Sequence, residues 1–202
     1  GSNDDGATFT EIASGEIPVF LERFERQTVS FDNDVAYTTY KLIFPEVVNP
    51  DGANSMQIAE IELLTGAPEA GGDEPDDNQE PNEAEDNEGP DEGEDITLPG
   101  DEVVATSDNS PGGEQASNAI DDNPFTKYLN FDKVNTGLTI ATGDGVVTGL
   151  ALTSANDAPD RDPANFILSG SNDDGATFTE IASGEIPVFL ERFERQTVSF
   201  DN

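Results

Sequence analysis

Runs of β-branched and aromatic residues, each closed by turn-forming residues, recur along the chain. The first run covers residues 35–44 and stops at Pro45, and Asn49-Pro50-Asp51-Gly52 supplies turn chemistry after it. In residues 57–64 the side chains alternate, which places on one face Ala59, Ile61 and Leu63 and on the other Ile58, Glu60 and Glu62. A helix is possible for 57–64, but the short length and the alternation favour a strand.

The same pattern returns after residue 96. It predicts further strands at residues 103–106, 137–142, 146–154, 165–171, 177–182 and 196–200. Two turn sequences among them, Gly143-Asp144-Gly145 and Asp173-Asp174-Gly175, predict hairpins. The segment 185–195 fits either a helical turn or a wide loop, and we expect a loop. Many short strands at this spacing predict an all-β fold, an antiparallel β-sandwich or jelly roll.

Residues 67–95 have an entirely different composition. The stretch contains 14 acidic residues and four prolines, and no aromatic or branched aliphatic residue. Such a segment cannot bury enough apolar surface to offset its ordering entropy, and its like charges repel one another. We therefore expect an extended, disordered linker that splits the sandwich. Calcium buffering or contact with a mineral is the functional alternative for this stretch.

The two ends of the chain are identical in sequence. Residues 1–33 reappear without a substitution as residues 170–202, an offset of 169 positions. Identity over this length indicates recently duplicated or homogenised units, so we expect a window of about 1.2 repeats (202/169) from a tandem array. The predicted domains are residues 1–66, the C-terminal part of one repeat; residues 67–96, the linker; and residues 97–202, the N-terminal part of the next repeat.

Three ways of completing the split domain follow from this organisation. Covalent neighbours in a longer array would complete both parts, and we favour this arrangement. Alternatively, residues 34–66 close onto residues 97–202 of the same chain, as in a circular permutant, or are donated to a neighbouring molecule. In the last two cases one of the identical segments is surplus or pairs elsewhere.

The net charge of the chain excludes some classes of binding partner. The chain has 44 acidic and 8 basic residues, a net charge of −36, and neither Cys nor His. Such a surface repels nucleic acid and anionic lipid and attracts cations. Without Cys and His there are no thiolate nucleophiles, no Cys/His zinc sites and no imidazole base, so we expect no enzyme activity. No apolar run approaches the roughly 18 residues of a membrane span, so no membrane insertion is expected.

Three motifs appear when the sequence is read in repeat order, residues 97–202 followed by 34–66. They are AIDDNPFTKY at 119–128, DPANFILSGSND at 162–173 and IAEIEL at 58–63. In this order they resemble the A-x-D-G-N-x-x-T-x-W, P-x-x-F-x-L-x-G-S-N-D-G and I-x-E-I-x-V motifs of the discoidin, or coagulation factor 5/8 type C-like, family. The resemblance implies a galactose-binding-like jelly roll. Tyr128 replaces the usual Trp, and Asp122 lies where Gly is common.

The same resemblance implies a structural Ca²⁺ site. It assigns to the ion the side chains of Asp121 and Thr126, Asn123 with nearby backbone carbonyls, and Glu60 from the closing strand. Ca²⁺ prefers six to eight hard oxygen ligands, which an Asp-Asp-Asn-Pro loop can offer. Bringing Glu60 to this loop would fasten the first and last strands together. An ordinary Asx turn with a solvated Glu60 is the alternative.

The sequence suggests two further candidate binding sites, one for a second cation and one for a sugar. The acidic segment 156–163 is a candidate for a second cation, although Arg161 between two aspartates favours a structural ion pair. Carbohydrate-binding members of the resembled family use loop aromatic residues together with Arg, Asn or His. On that resemblance the candidate sugar-binding residues are Tyr128, Phe131 and Arg192.

The sequence thus leads to two functional hypotheses. The first is an extracellular, cell-surface structural or adhesive protein, in which calcium-stabilised modules form a fibre from neighbouring identical repeats, joined covalently or by strand exchange. The alternative is a carbohydrate-binding module of a secreted protein, with glycans as partners.

Overall fold

The structure is a computed structural model and describes residues 33–66 and 93–199. The first copy of the duplicated segment, residues 1–32, and most of the predicted linker, residues 67–92, lie outside the described residues. The strands of the described parts are β1 Tyr37–Phe44, β2 Met56–Ile58, β3 Glu60–Thr65, β4 Glu94–Asp95, β5 Glu102–Ala105, β6 Tyr128–Asn130, β7 Thr136–Gly145, β8 Val147–Thr153, β9 Asn165–Ser171, β10 Thr179–Glu185 and β11 Arg195–Ser199. Short 3₁₀ helices cover Ala116–Ala119 and Pro159–Arg161.

The strand β1 lies at the centre of a five-stranded antiparallel sheet with the order β10-β9-β1-β7-β5. It pairs with β7 along residues 39–44 and with β9 along residues 39–43. Its side chains Tyr40, Leu42 and Phe44 are each at most 1% exposed. Residues 34–66 and residues 93–199 therefore both contribute strands to this sheet, although the acidic stretch separates them in the sequence.

A second antiparallel sheet has four strands in the order β11-β8-β3-β4, and β2 pairs with β6 in a small third sheet. The two larger sheets share one hydrophobic core. Leu42 and Phe166 enter this core from the first sheet, and Leu63 and Leu150 enter it from the second. The architecture is all-β, antiparallel and sandwich-like, as the strand pattern predicts. In the described parts of the chain, no helix is both long and apolar enough to cross a bilayer.

Two of the three predicted turns are present. The amide of Gly52 donates to the backbone oxygen of Asn49 at 3.2 Å and to its side-chain oxygen at 3.1 Å. At the second turn, β9 and β10 pair across residues 172–178, with Asp174 and Gly175 at φ +55° and +78°. Asp and Gly are residues that adopt this left-handed conformation readily.

The hairpin predicted at Gly143-Asp144-Gly145 is wrong. β7 continues to Gly145, which pairs with Tyr37 of β1, and β8 begins two residues later in the other sheet. Because β1 and β5 already occupy both edges of β7, there is no free edge against which β8 could fold back. The chain therefore crosses between the sheets at Val146.

The predicted strand at 57–64 is divided in two at Ala59. The amide of Ala59 donates to the carbonyl of Thr153 at 2.9 Å, and the chain passes there from the small sheet to the four-stranded sheet. Ile58 and Ala59, on either side of this passage, are both completely buried. The sequence pattern also missed β6, the 3₁₀ helix Ala116–Ala119, and β4, which lies at the end of the predicted linker and pairs with β3.

Gly137 marks the closest approach between β7 and β1, and this contact gives a test of the register. A Cβ atom at Gly137 would lie 1.9 Å from the carbonyl oxygen of Leu42, whereas one at Gly143, in the same strand, would meet nothing within 4 Å. We expect Gly137→Ala to lower the free energy of unfolding by about 3 kcal/mol, because the backbone of β1 must shift.

Gly143→Ala is the matched control and is expected to change the stability by no more than about 0.5 kcal/mol. Urea-induced unfolding of both variants measures the difference. Equal stabilities would contradict the pairing of β7 with β1 in this register.

Candidate metal centre and the adjoining groove

Glu60 connects the closing strand with the loop that follows the first 3₁₀ helix. It is the first residue of β3, and although it is an acidic residue it is only 6% exposed. Its Oε1 accepts a hydrogen bond of 2.8 Å from the amide of Asn123, and its carboxyl group also contacts the side chain of Asp121. A carboxylate from residues 34–66 is thus held inside a loop from residues 93–199.

The loop 121–126 is shaped by its own hydrogen bonds. The hydroxyl of Thr126 lies 2.9 Å from both carboxylate oxygens of Asp121 and 2.9 Å from the carbonyl of Asn123. The amide of Asn123 also approaches Asp121 Oδ1 at 3.1 Å, which is an Asx turn. The structure therefore brings together all four predicted ligands, Glu60, Asp121, Asn123 and Thr126.

The backbone of Asp122 is left-handed, with φ +57°. Glycine adopts this conformation without strain, and Asp is among the few other residues that tolerate it. This conformation suits both the Gly that is common at this position of the resembled motif and the Asp found here. In this protein the residue adds a negative charge near Glu60.

The surroundings of Glu60 oppose its ionisation. Burial is the largest cause, the hydrogen bond with Asp121 and the negative charges of Asp121 and Asp122 act in the same direction, and the amide of Asn123 acts against them. Together they raise the pKa of Glu60 from 4.5 to about 8. A nearby cation would reverse this balance, because it favours the charged carboxylate.

The oxygens of this centre fit a hard cation. Glu60 and Asp121 supply carboxylates, Thr126 a hydroxyl, and Asn123 a backbone carbonyl, all of them ligand types that Ca²⁺ takes. No group of three or more acidic side chains within metal-binding reach of one another occurs in residues 33–66 and 93–199. Neutral oxygens and solvent would therefore have to complete the coordination.

A groove of about 380 Å³ adjoins the centre. Four carboxylates and one guanidinium contribute to its lining, together with a proline, a threonine and an aromatic ring: Glu60, Glu62, Asp95, Asp122, Arg195, Pro124, Thr153 and Phe193. Phe193 contacts Phe125, with ring centroids 5.3 Å apart. Phe125 is 80% exposed and Phe193 is 42% exposed, so this aromatic pair faces solvent beside the groove.

The residues predicted to bind a sugar do not form one surface. The ring of Tyr128 is completely buried and its hydroxyl accepts a hydrogen bond from Asn130, so Tyr128 is a core residue and its assignment as a platform is wrong. Arg192 is held by Asp162 through hydrogen bonds of 2.9 and 2.6 Å, which makes it part of a structural ion pair. Phe131 is 46% exposed and remains available.

Two aspartates of the acidic segment 156–163 form ion pairs, but with cations outside the segment and not with Arg161. Asp162, which is 2% exposed, pairs with Arg192, and Asp157 pairs with the buried Lys127 at 2.9 Å. Lys127 also donates to Gln57 and Asn156. The protein's own cations thus occupy the place of the second metal ion considered from the sequence.

Comparisons with known proteins add one short likeness. No family model matches the chain, and no solved structure matches it. A peptide-N(4)-(N-acetyl-beta-glucosaminyl)asparagine amidase of Arabidopsis thaliana is 52% identical to the chain over 46 residues. The match covers 23% of this chain and 6% of that protein, so it does not show what this chain does.

The pKa of Glu60 gives a pH dependence of stability with a defined sign. In the metal-free protein, folded Glu60 keeps its proton up to about pH 8, whereas the unfolded chain releases it near pH 4.5. Between these values the folded state binds more protons, so the free energy of unfolding falls as the pH rises. We expect Glu60→Gln to remove this part of the slope in unfolding experiments carried out with a chelator.

Glu102→Gln, an identical change at an exposed position of β5, is the control and is expected to keep the wild-type slope. The same slope in the wild type and in Glu60→Gln would show that Glu60 ionises normally.

Proposed function

We propose that the chain is a calcium-stabilised, discoidin-like jelly-roll module of an extracellular structural or adhesive repeat protein. The observation that carries the proposal is the 2.8 Å contact between Glu60 and Asn123, which places a buried carboxylate from the closing strand in the Asp121–Thr126 loop. The motif order and the exact 33-residue repetition support the same assignment. Identical modules suit a polymer in which each copy carries the same mechanical load.

The ion's part in this proposal is mechanical. Ca²⁺ supplies two positive charges that allow Glu60 and Asp121 to be ionised and close together. Glu60 belongs to residues 34–66 and Asp121 to residues 93–199, so the pair bridges the two parts of the module. Such a bridge stabilises the folded state without disulfides, which this cysteine-free chain cannot form.

Calcium is therefore expected to raise the thermal stability of the protein. A ligand present at 100 times its Kd stabilises the folded state by about 2.7 kcal/mol, and we expect a shift of several degrees in the unfolding midpoint. Asp121→Asn and Glu60→Gln should each abolish most of the shift, because each removes a charged ligand. Glu102→Gln is the matched control and should retain it.

Differential scanning calorimetry with chelator, with Ca²⁺ and with Mg²⁺ measures the effect. Mg²⁺ should stabilise less, since it requires a stricter octahedral geometry and dehydrates reluctantly. An equal calcium shift in the wild type, Glu60→Gln and Asp121→Asn would mean that calcium acts only through the acidic surface, and would contradict the proposed site.

Carbohydrate binding is a second candidate, favoured by one specific observation. Phe125 and Phe193 expose their rings at the rim of a groove that also contains carboxylates and Arg195. Aromatic faces beside polar groups are the usual composition of a site for small ligands. The proposal thus moves the sugar platform from Tyr128 to Phe125.

A glycan array compared across variants tests this candidate. Phe125→Ala is expected to weaken any glycan binding by about tenfold or more, because it removes half of the aromatic pair. Phe131→Ala changes an exposed Phe outside the Phe125–Phe193 pair and is the matched comparison. Binding like that of the wild type is expected for it, and a loss of binding in Phe131→Ala alone would place the sugar at Phe131 instead. A wild type that binds no glycan would reject the candidate.

A further inference from the structure

Two aromatic rings that contact each other are exposed beside the four-stranded sheet. Phe125 lies in the loop before β6 and is 80% exposed, and Phe193 lies in the loop before β11 and is 42% exposed. Large aromatic side chains gain free energy when they are removed from water, and they are enriched in the interfaces between proteins. An exposed pair of this kind indicates a surface that a partner can cover.

The backbone of Phe193 is strained. Its φ angle is +58°, in the left-handed region that is unfavourable for a bulky side chain. Such conformations persist only where the surrounding structure enforces them, and they cluster at functional sites. The ring of Phe193 is therefore held at the surface by the fold, at some cost in backbone free energy.

The groove beside the two rings has negative charge that the protein's own cations do not compensate. The guanidinium of Arg195, which lines the groove, donates to both carboxylate oxygens of Glu62 at 2.7 Å each. Neither Asp95 nor Asp122 takes part in an ion pair within residues 33–66 and 93–199. Burial raises the pKa of Asp95 against the hydrogen bonds from Thr97, and the negative charges of Glu62 and Asp122 raise this pKa further. A positive charge from outside would relieve this repulsion.

The chemistry of this surface selects the kind of partner. The net charge of −36 repels phosphate groups, which excludes nucleic acid and anionic lipid. A neutral sugar would stack on the rings but leave the charges of Asp95 and Asp122 uncompensated. A free metal ion would neutralise the carboxylates but leave the rings in water. A basic side chain with apolar neighbours meets both requirements.

From this complementarity, we propose that the groove and the aromatic pair are the docking surface for a basic, amphipathic segment of a partner protein: an arginine enters the groove beside Asp95 and Asp122, and its apolar neighbours pack on Phe125 and Phe193. The planar guanidinium suits the site because it donates to carboxylates and also stacks on aromatic faces. Asp95 and Asp122 are not among the four candidate ligands of the metal ion. The docking surface thus goes beyond the calcium-stabilised module and does not require calcium.

Fluorescence anisotropy with labelled hexapeptides tests the kind of partner. The probe is a peptide in which leucine and arginine alternate, and the comparisons alternate serine with arginine and leucine with glutamate. Salt at about 0.15 M limits the unspecific attraction of basic peptides to the acidic surface. We expect the leucine–arginine peptide to bind, the serine–arginine peptide to bind more weakly and the leucine–glutamate peptide not to bind. Equal binding of the two arginine peptides, or no binding of the leucine–arginine peptide, would overturn the proposal.

Variants with matched controls locate the peptide on the protein. Phe125→Ala should weaken binding of the leucine–arginine peptide by about tenfold, because it removes the more exposed ring. Val104→Ala, at an exposed position of β5 in the other sheet, is its control and should bind as the wild type does.

Asp122→Asn should weaken binding by about fivefold, since it removes one carboxylate. Asp174→Asn is the control, because Asp174 is also exposed and has the same left-handed backbone, with φ +55°. Equal affinities in the variants and their controls would overturn the proposal.

The same measurements with Ca²⁺ and with a chelator separate this proposal from the proposed metal site. Loss of peptide binding in Phe125→Ala is expected under both conditions. Peptide binding without any thermal stabilisation by calcium would support the docking surface and reject the metal site. Thermal stabilisation by calcium without peptide binding, or binding of a neutral glycan in place of the peptide, would overturn the docking surface alone.

Discussion

The fold depends on one constraint: β1 must lie between β7 and β9. Both flanking strands come from residues 93–199, whereas β1 comes from residues 34–66. Without β1 the five-stranded sheet separates into two pairs, and Tyr40, Leu42 and Phe44 leave the core. β3 has a corresponding place in the second sheet between β8 and β4. The short segment 34–66 therefore completes both sheets at once.

The candidate metal centre is a consequence of that completion. When β3 pairs with β8, its first residue, Glu60, is brought against the Asp121–Thr126 loop. The resulting group of carboxylates is unfavourable when charged, as the raised pKa of Glu60 records. In the proposed function, a cation bound beside Glu60 would relieve this repulsion and so stabilise the folded state. The same arrangement makes the two parts of the split module depend on each other.

The sequence predicted the class of the fold because the strands carry local signals. Alternation, β-branched residues and turn residues at Asn49–Gly52 and Asp173–Gly175 gave most strand positions. The four residues Glu60, Asp121, Asn123 and Thr126 could be proposed as a set because a motif resemblance links distant parts of the chain.

Tyr128 was misassigned since burial depends on tertiary packing, and a local pattern does not show whether an aromatic ring faces core or solvent. The hairpin at 143–145 failed for a similar reason, as the edges of β7 were filled by distant strands. The partner of Asp162 is 30 residues away, beyond any local pattern.

The most direct test of the account is the number of protons released when Ca²⁺ binds, measured by isothermal titration calorimetry in buffers of different ionisation enthalpy. Because folded Glu60 has a pKa of about 8, it is protonated at pH 7 and must lose its proton to act as a ligand. Release of about one proton per ion is expected at pH 7, falling towards zero above pH 9, with no such release in Glu60→Gln. Calcium binding without proton release, or with equal release in the wild type and Glu60→Gln, would contradict it.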